Sequence, residues 1–156
     1  MIVEQELEKR VLDVFKTKFE ELGINNIQLT GSLQTTNGNE RKSEENSESV
    51  GFLMVKAKPR QYSTPTIPEC QISISVALTI RSDIDFNGKT YIDVFEILLN
   101  TFERWQKCLD DAHELFTIQD KFNVTGYQLN SGDTPLDKNS KVWGYVHEMT
   151  LYGVIL

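Results

Sequence analysis

The sequence predicts an α+β fold, and three patterns in it lead to that prediction. Apolar residues recur at steps of three and four over residues 3–22 and again over 90–106, which predicts two amphipathic helices. Apolar and polar residues alternate strictly over residues 70–81, which predicts one long strand. Shorter strand patterns lie on both sides of it. We therefore expect a mostly antiparallel sheet of four to five strands, with both helices packed on one face.

The first predicted helix begins near Val3 and is followed by Gly23, which stands where a left-handed C-terminal cap is expected. Asn25 and Asn26 then make a turn into a short strand over residues 27–30. The apolar stripe of this helix consists of Val3, Leu7, Val11, Val14, Phe15, Phe19 and Leu22.

A second strand is predicted over residues 50–57. The segment 59–68 that follows contains three prolines, so we expect an extended loop without regular pairing. In the long strand 70–81, the even-numbered residues are apolar and the odd-numbered ones are mostly small and polar. Such a second face suits a sheet whose back meets solvent or another subunit.

The second helix is predicted to begin with a capping pair, Thr90 and Asp93. Residues 108–116 are expected to continue as a looser helical turn, and strands are predicted over 122–129 and 142–156. One face of the last strand would present Trp143, Tyr145, His147, Met149, Leu151 and Ile155.

Length and charge restrict the class of protein. A chain of 156 residues is predicted to form a single domain, 1–156. Sixteen basic against twenty-three acidic residues give a net charge of −7, which argues against specific nucleic-acid binding. Residues 35–49 contain no apolar side chain and are predicted to be a mobile polar loop, either an arm that orders on a partner or a solvated hairpin tip.

Catalytic motifs are not found in the sequence. Neither His113 nor His147 belongs to an H-E-x-x-H motif, and no phosphate-binding glycine loop or nucleophile elbow occurs. His147 and Glu148 would point to opposite faces of a strand. Cys70 and Cys108 are expected to be buried free thiols. We predict no enzyme, no catalytic residue and no cofactor.

One motif resembles part of a calcium loop. Asp83, Asp85 and Asn87 alternate before Gly88, but Val94 occupies the position of the bidentate glutamate. A strand-to-helix turn in which Gly88 takes a positive φ explains the same residues, so no metal site is predicted.

The sequence shows no basic and apolar leader at its start and no run of about 18 apolar residues. We therefore expect a protein that begins in the cytoplasm and does not contact a membrane.

Residues 72–105 consist of a long strand ending in IRSD at 80–83, a glycine turn and an amphipathic helix. YQL at 127–129, SGD at 131–133 and an alternating aromatic and aliphatic strand over 143–155 follow. This order resembles the tail terminator or tail completion proteins of long-tailed bacteriophages. The polar insertion after Leu33 and the proline-rich segment are longer than a minimal member would need.

The resemblance implies a structural virion protein without a reaction. Such proteins form a ring, commonly a hexamer, at the head-proximal end of the tail, where they end the tail tube and join it to the head connector. The implied partners are further copies of the chain, the tail tube protein and the head connector proteins. The implied locations are the virion and, during assembly, the cytoplasm of the bacterial host.

A different class of function is the alternative. A small α+β module could bind a ligand or another protein in an aromatic pocket between the sheet and the helices, lined by Trp105, Trp143 and Tyr145. Aromatic residues at regular spacing are also typical of a core.

Overall fold

The computed structural model describes residues 1–33, 51–85, 88–130 and 141–156. The predicted mobile loop 35–49 lies outside these ranges. The described elements are, in chain order, α1 (Val3–Glu21), β1 (Ile27–Gly31), β2 (Gly51–Ala57), β3 (Gln61–Tyr62), β4 (Glu69–Arg81), α2 (Tyr91–Lys107), α3 (Leu109–Phe116), β5 (Phe122–Leu129) and β6 (Val142–Ile155).

The strands form a sheet of six in the order β1-β2-β4-β6-β5, with β3 pairing with β4. The α+β class is confirmed, but the described part of the chain has one strand and one helix more than expected. The sheet is also mixed: β1 and β2 are parallel, while the other described pairs are antiparallel. The connection over residues 32–50 is long enough for the crossover that parallel neighbours need, whereas a hairpin needs only a short turn.

The expectation that the proline-rich segment forms no pairs was wrong for two residues. Gln61 pairs with Gln71 and Tyr62 pairs with Cys70, which makes β3. Both lie between Pro59 and Pro65, so their own backbone N–H groups are present and available to the ladder.

The predicted helix ends are confirmed. Gly23, just beyond α1, has a φ of 73°, which is the left-handed conformation expected of a C-terminal cap. At the start of α2, the backbone N–H of Thr90 donates to Oδ2 of Asp93 at 2.8 Å. The predicted loose turn after α2 is a complete helix, α3, because Ala112 and Phe116 lie one turn apart and are both buried in the core.

The core lies between one face of the sheet and the helices. Residues of β2 are alternately buried and exposed, and in β4 buried residues alternate with residues that are partly buried or exposed. Buried side chains of α1, α2 and α3 belong to the same cluster as the inward side chains of the strands. The helices therefore lie on one face of the sheet, as predicted. None of them, over the ranges given above, has the length and apolarity needed to cross a bilayer.

Candidate functional site

The face of the sheet opposite the helices carries exposed apolar side chains. On β2, Phe52 is 43% exposed and Met54 is 45% exposed, and Lys56 follows them on the same side of the strand. Side chains of β4 and β6 that point away from the helices continue this surface. We call the outward side of β2, β4 and β6 the open face.

Strand register arranges the open face in three rows across β2, β4 and β6. Directly paired residues of neighbouring strands project on the same side of a sheet, so each row is a set of adjacent side chains. The rows are Phe52, Thr79 and Gly144; Met54, Ala77 and Val146; and Lys56, Ser75 and Glu148.

The open face has an apolar end and a polar end. Phe52, Met54, Ala77 and Val146 form the apolar patch. At the polar end, Lys58 Nζ lies 3.9 Å from Oε1 of Glu148. Further along the sheet, the hydroxyl of Tyr152 donates to Oε1 of Gln128 at 2.9 Å, and Nε2 of Gln71 donates to Oε1 of Gln61 at 3.1 Å.

Sequence reasoning predicted the small polar face of β4 but missed the apolar patch. Residues 52–55 are all apolar, so these four residues alone do not show which pair of them faces the core, although the charged Lys56 falls on the same side as Phe52 and Met54. The structure places Leu53 and Val55 in the core, where both are fully buried, and leaves Phe52 and Met54 outside. Lys56 was the available signal, because a charged side chain marks the solvent side of a strand and residues two and four positions before it share that side.

Two buried carboxylates of α1 were also missed. Glu8 is fully buried, and its Oε2 accepts hydrogen bonds from the hydroxyl of Ser32 and the N–H of Ala57, both at 2.8 Å. Its Oε1 accepts from the N–H of Leu33 at 2.9 Å. Glu8 therefore holds the ends of β1 and β2 against the helix. This is a structural role, because the described contacts occupy both carboxylate oxygens.

Glu4 lies one turn earlier on α1 and binds Arg60. The guanidinium donates to both carboxylate oxygens at 2.7 and 3.0 Å, and the Arg60 backbone N–H adds a third bond at 3.0 Å. Burial alone would raise the pKa of the Glu4 carboxyl, but the hydrogen bonds from Arg60 outweigh burial and the pKa is lowered from 4.5. Glu4 is thus a buried anion that fixes the loop after β2.

His147 lies in the core beneath α2. Its Nδ1 is 2.6 Å from the hydroxyl of Tyr145, and its ring stacks on Phe102 with centroids 4.2 Å apart. Nε2 is buried and has no hydrogen-bond partner within the described residues. Burial lowers the pKa of His147. The neighbouring Glu148 lies on the opposite face, as predicted, so the two do not form an acid–base pair.

The three aromatic residues of the predicted pocket pack against other rings. Trp105 is 5% exposed and lies edge-on to Phe116, with centroids 5.3 Å apart. Trp143 stacks on Tyr145 and lies edge-on to Phe95 at 4.8 Å. These contacts place the three side chains in the aromatic packing between sheet and helices.

The turn that resembles part of a calcium loop is stabilised by an ion pair with an arginine. Arg81 donates two hydrogen bonds to the carboxylate of Asp83, at 2.9 and 3.2 Å, and Gly88 has a φ of 81°. Asn87 lies outside the described residues. In the ranges that are described, no three His, Cys, Asp or Glu side chains are grouped so as to hold a metal ion.

Both cysteines are free thiols, but the expectation that both are buried is wrong for Cys108, which is only partly buried. Cys70 is buried, and burial raises the pKa of its thiol, which disfavours the reactive thiolate. Cys108 lies at the junction of α2 and α3. Cys70 is therefore a core residue of β4.

A groove of about 760 Å³ lies between α1 and the α2–α3 pair. Its lining carries both signs of charge, and Arg10 and Arg104 are already engaged. Arg10 donates to the carbonyl oxygens of Leu115 and Thr117, and Arg104 donates to Asp111. The charges that line the groove therefore favour neither an anionic nor a cationic ligand.

Comparisons of the chain with known proteins do not assign it to a family. No protein-family model matches the chain, and no curated protein matches it. The function must be inferred from the open face and from the order of the elements.

Proposed function

We propose that the protein is a structural component of a bacteriophage tail. In this proposal it forms a ring, most simply a hexamer, at the head-proximal end of the tail, where it ends the tube and joins the head connector. The observation that carries the proposal is the open face, where large apolar side chains are exposed on an ordered sheet. Apolar patches on ordered surfaces mark contacts with other protein chains.

The shape of the open face suits contact between proteins. Its central strand β4 presents Ser75, Ala77 and Thr79, which are small enough to let another surface approach the backbone closely. Phe52 and Met54 rise beside them on β2 and can fill a recess on a partner. A buried apolar centre with a polar rim is the common organisation of such interfaces.

The net charge of −7 agrees with this role. Head-to-tail contacts that close on themselves generate a ring. An acidic channel through such a ring repels DNA instead of binding it, so that DNA can pass. The proposal therefore needs neither a reaction nor a nucleic-acid site.

The neighbouring genes give the first test. We expect genes for a portal protein, a major tail protein and a tape-measure protein beside the gene for this chain. A metabolic operon around it would contradict the proposal.

The direct test is tail capping. Purified protein mixed with the tail tube protein of the same phage should give tubes with a ring at one end in negative-stain images. The double variant Phe52→Thr with Met54→Thr should lose most of this capping, because it removes the two largest side chains of the apolar patch. Ile92→Thr is the matched control, since Ile92 is 57% exposed but lies on α2, away from the face. Wild-type protein that neither forms rings nor binds tubes would refute the proposal.

A further inference from the structure

We propose that the open face binds the open face of a second copy of this chain, with a two-fold axis that runs parallel to β4. This rests on the proposed function in one respect, namely that the open face is a contact between chains, and it names the chain on the other side. The argument depends on which residues the three rows bring opposite one another.

β4 is the middle strand of the open face, with β2 on one side and β6 on the other. A rotation of 180° about an axis parallel to β4 exchanges the β2 side and the β6 side of the sheet, and it leaves each residue at the same position along the strand direction. β2 of one copy therefore lies over β6 of the other. Each row of one copy faces the same row of the second copy, read in the opposite direction. Packed sheets with nearly aligned strands, within about 30° of each other, are a common arrangement.

Side-chain sizes are complementary in this arrangement. Phe52 of one copy faces Gly144 of the second, so the largest side chain of the patch meets a position with no side chain. In the next row, Met54 faces Val146, and Ala77 lies on the axis against its own copy. Large residues facing small ones let two sheets interdigitate at native packing density.

Charges are complementary in the third row. Lys56 of one copy faces Glu148 of the second, and the two-fold axis produces this contact twice. The small Ser75 lies between them on the axis. Opposite charges at matched positions fix the register of an interface and disfavour other partners.

The open face itself is small. Its three strands, spaced about 4.8 Å apart and each about 20–40 Å long, cover roughly 300–600 Å². A standard interface takes about 800 Å² from each partner, so a pair that buries the open face alone is a weak one whose formation depends on protein concentration. The two-fold contact leaves the sheet edges and the helices free for head-to-tail contacts.

Reversal of single charges tests the two-fold geometry. Lys56→Glu places two glutamates opposite each other at both contacts of a pair, and Glu148→Lys places two lysines there. Each variant alone should associate at least about tenfold more weakly than wild type, measured by light scattering and native mass spectrometry. Lys16→Glu, an equal change of charge on the exposed side of α1, should associate like wild type.

Mixing the two variants is the decisive step. In a mixed pair, the two substituted side chains, which are opposite in charge, meet at one contact, and the native Lys56 and Glu148 meet at the other. Association should therefore return, with one copy of each variant in every pair. A contact between Lys56 and Glu148 inside one chain cannot produce this result. Recovery would also show that both variants are folded.

A monomeric wild type overturns the inference, as does association that ignores both substitutions or that mixing fails to restore. These outcomes are separable from those of the proposed function. Protein that caps tail tubes but fails the mixing test keeps its proposed function and loses the two-fold contact. Protein that passes the mixing test but does not bind tubes loses only the function.

Discussion

At the scale of single residues, Gly153 shows how closely β5 and β6 pack. A Cβ atom at this position would lie 2.5 Å from the ring of Phe122 and 2.6 Å from the carbonyl oxygen of Asn123. The Phe122 side chain is fully buried and cannot move into solvent. The absence of a side chain at Gly153 is therefore a requirement of the packing.

We expect Gly153→Ala to lower the free energy of unfolding by about 1–3 kcal/mol, since the added methyl group overpacks the core. Urea unfolding followed by circular dichroism measures the change. Gly126→Ala is the control: its Cβ would lie 3.5 Å from Tyr152, an ordinary contact, so its stability should stay within about 0.5 kcal/mol of wild type. Equal losses in the two variants would contradict this account.

The Glu4–Arg60 pair predicts a dependence of stability on pH. The folded pKa of Glu4 lies below 4.5, so its contribution is complete above about pH 4.5 and is lost as the pH falls through the folded pKa. Glu4→Gln should therefore be about 1–3 kcal/mol less stable than wild type at pH 7. The difference should shrink as the pH falls below 4.5, in thermal unfolding recorded across pH. A difference that is constant down to pH 3 would show that Glu4 acts through packing alone.

At the scale of elements, the buried Glu8 fixes α1 against the sheet. Its carboxylate accepts from the backbone at the end of β2 and from two residues just after β1, all of which would otherwise need other partners. One side chain thus couples the orientation of α1 to the positions of the ends of β1 and β2.

Glu8→Gln should lower stability by about 1–3 kcal/mol, because one acceptor oxygen becomes an NH₂ group that faces a donor. Glu20→Gln, on the exposed side of the same helix, should change stability by less than about 0.5 kcal/mol. Unfolding in urea compares the two. If Glu8→Gln were as stable as wild type, the three hydrogen bonds would not be holding the strand ends.

At the scale of the whole molecule, the two faces of the sheet should respond differently to mutation. Leu53→Ala should lose about 2–5 kcal/mol, because the side chain is fully buried in the core. Phe52→Thr with Met54→Thr, on either side of it, should lose less than about 1 kcal/mol, since threonine favours strands and both side chains are nearly half exposed. Calorimetry of dilute protein measures both. A large loss in the double variant would mean that these residues support the fold and not an interface.

Much of the architecture could be predicted from local patterns. The boundaries of α1, β4, α2 and β5 follow from periodicity, and the caps at Gly23 and Thr90 follow from single residues whose conformational preferences are strong. β3 and the parallel pairing of β1 with β2 could not be predicted in this way. Both depend on which distant strand is available as a neighbour, and that information is absent from any short window of sequence.

Local sequence patterns were enough to predict an acidic α+β chain with its helices on one side of a sheet, because side-chain periodicity specifies which residues can be buried together. Alternation from Lys56 indicates that Phe52 and Met54 point outward, while Leu53 and Val55 point inward. The tertiary structure adds that the described helices all pack on the inward side, which leaves Phe52 and Met54 exposed. The register of β2, β4 and β6 then sets Phe52 level with Gly144 and Lys56 level with Glu148, through strand pairing between residues far apart in the chain.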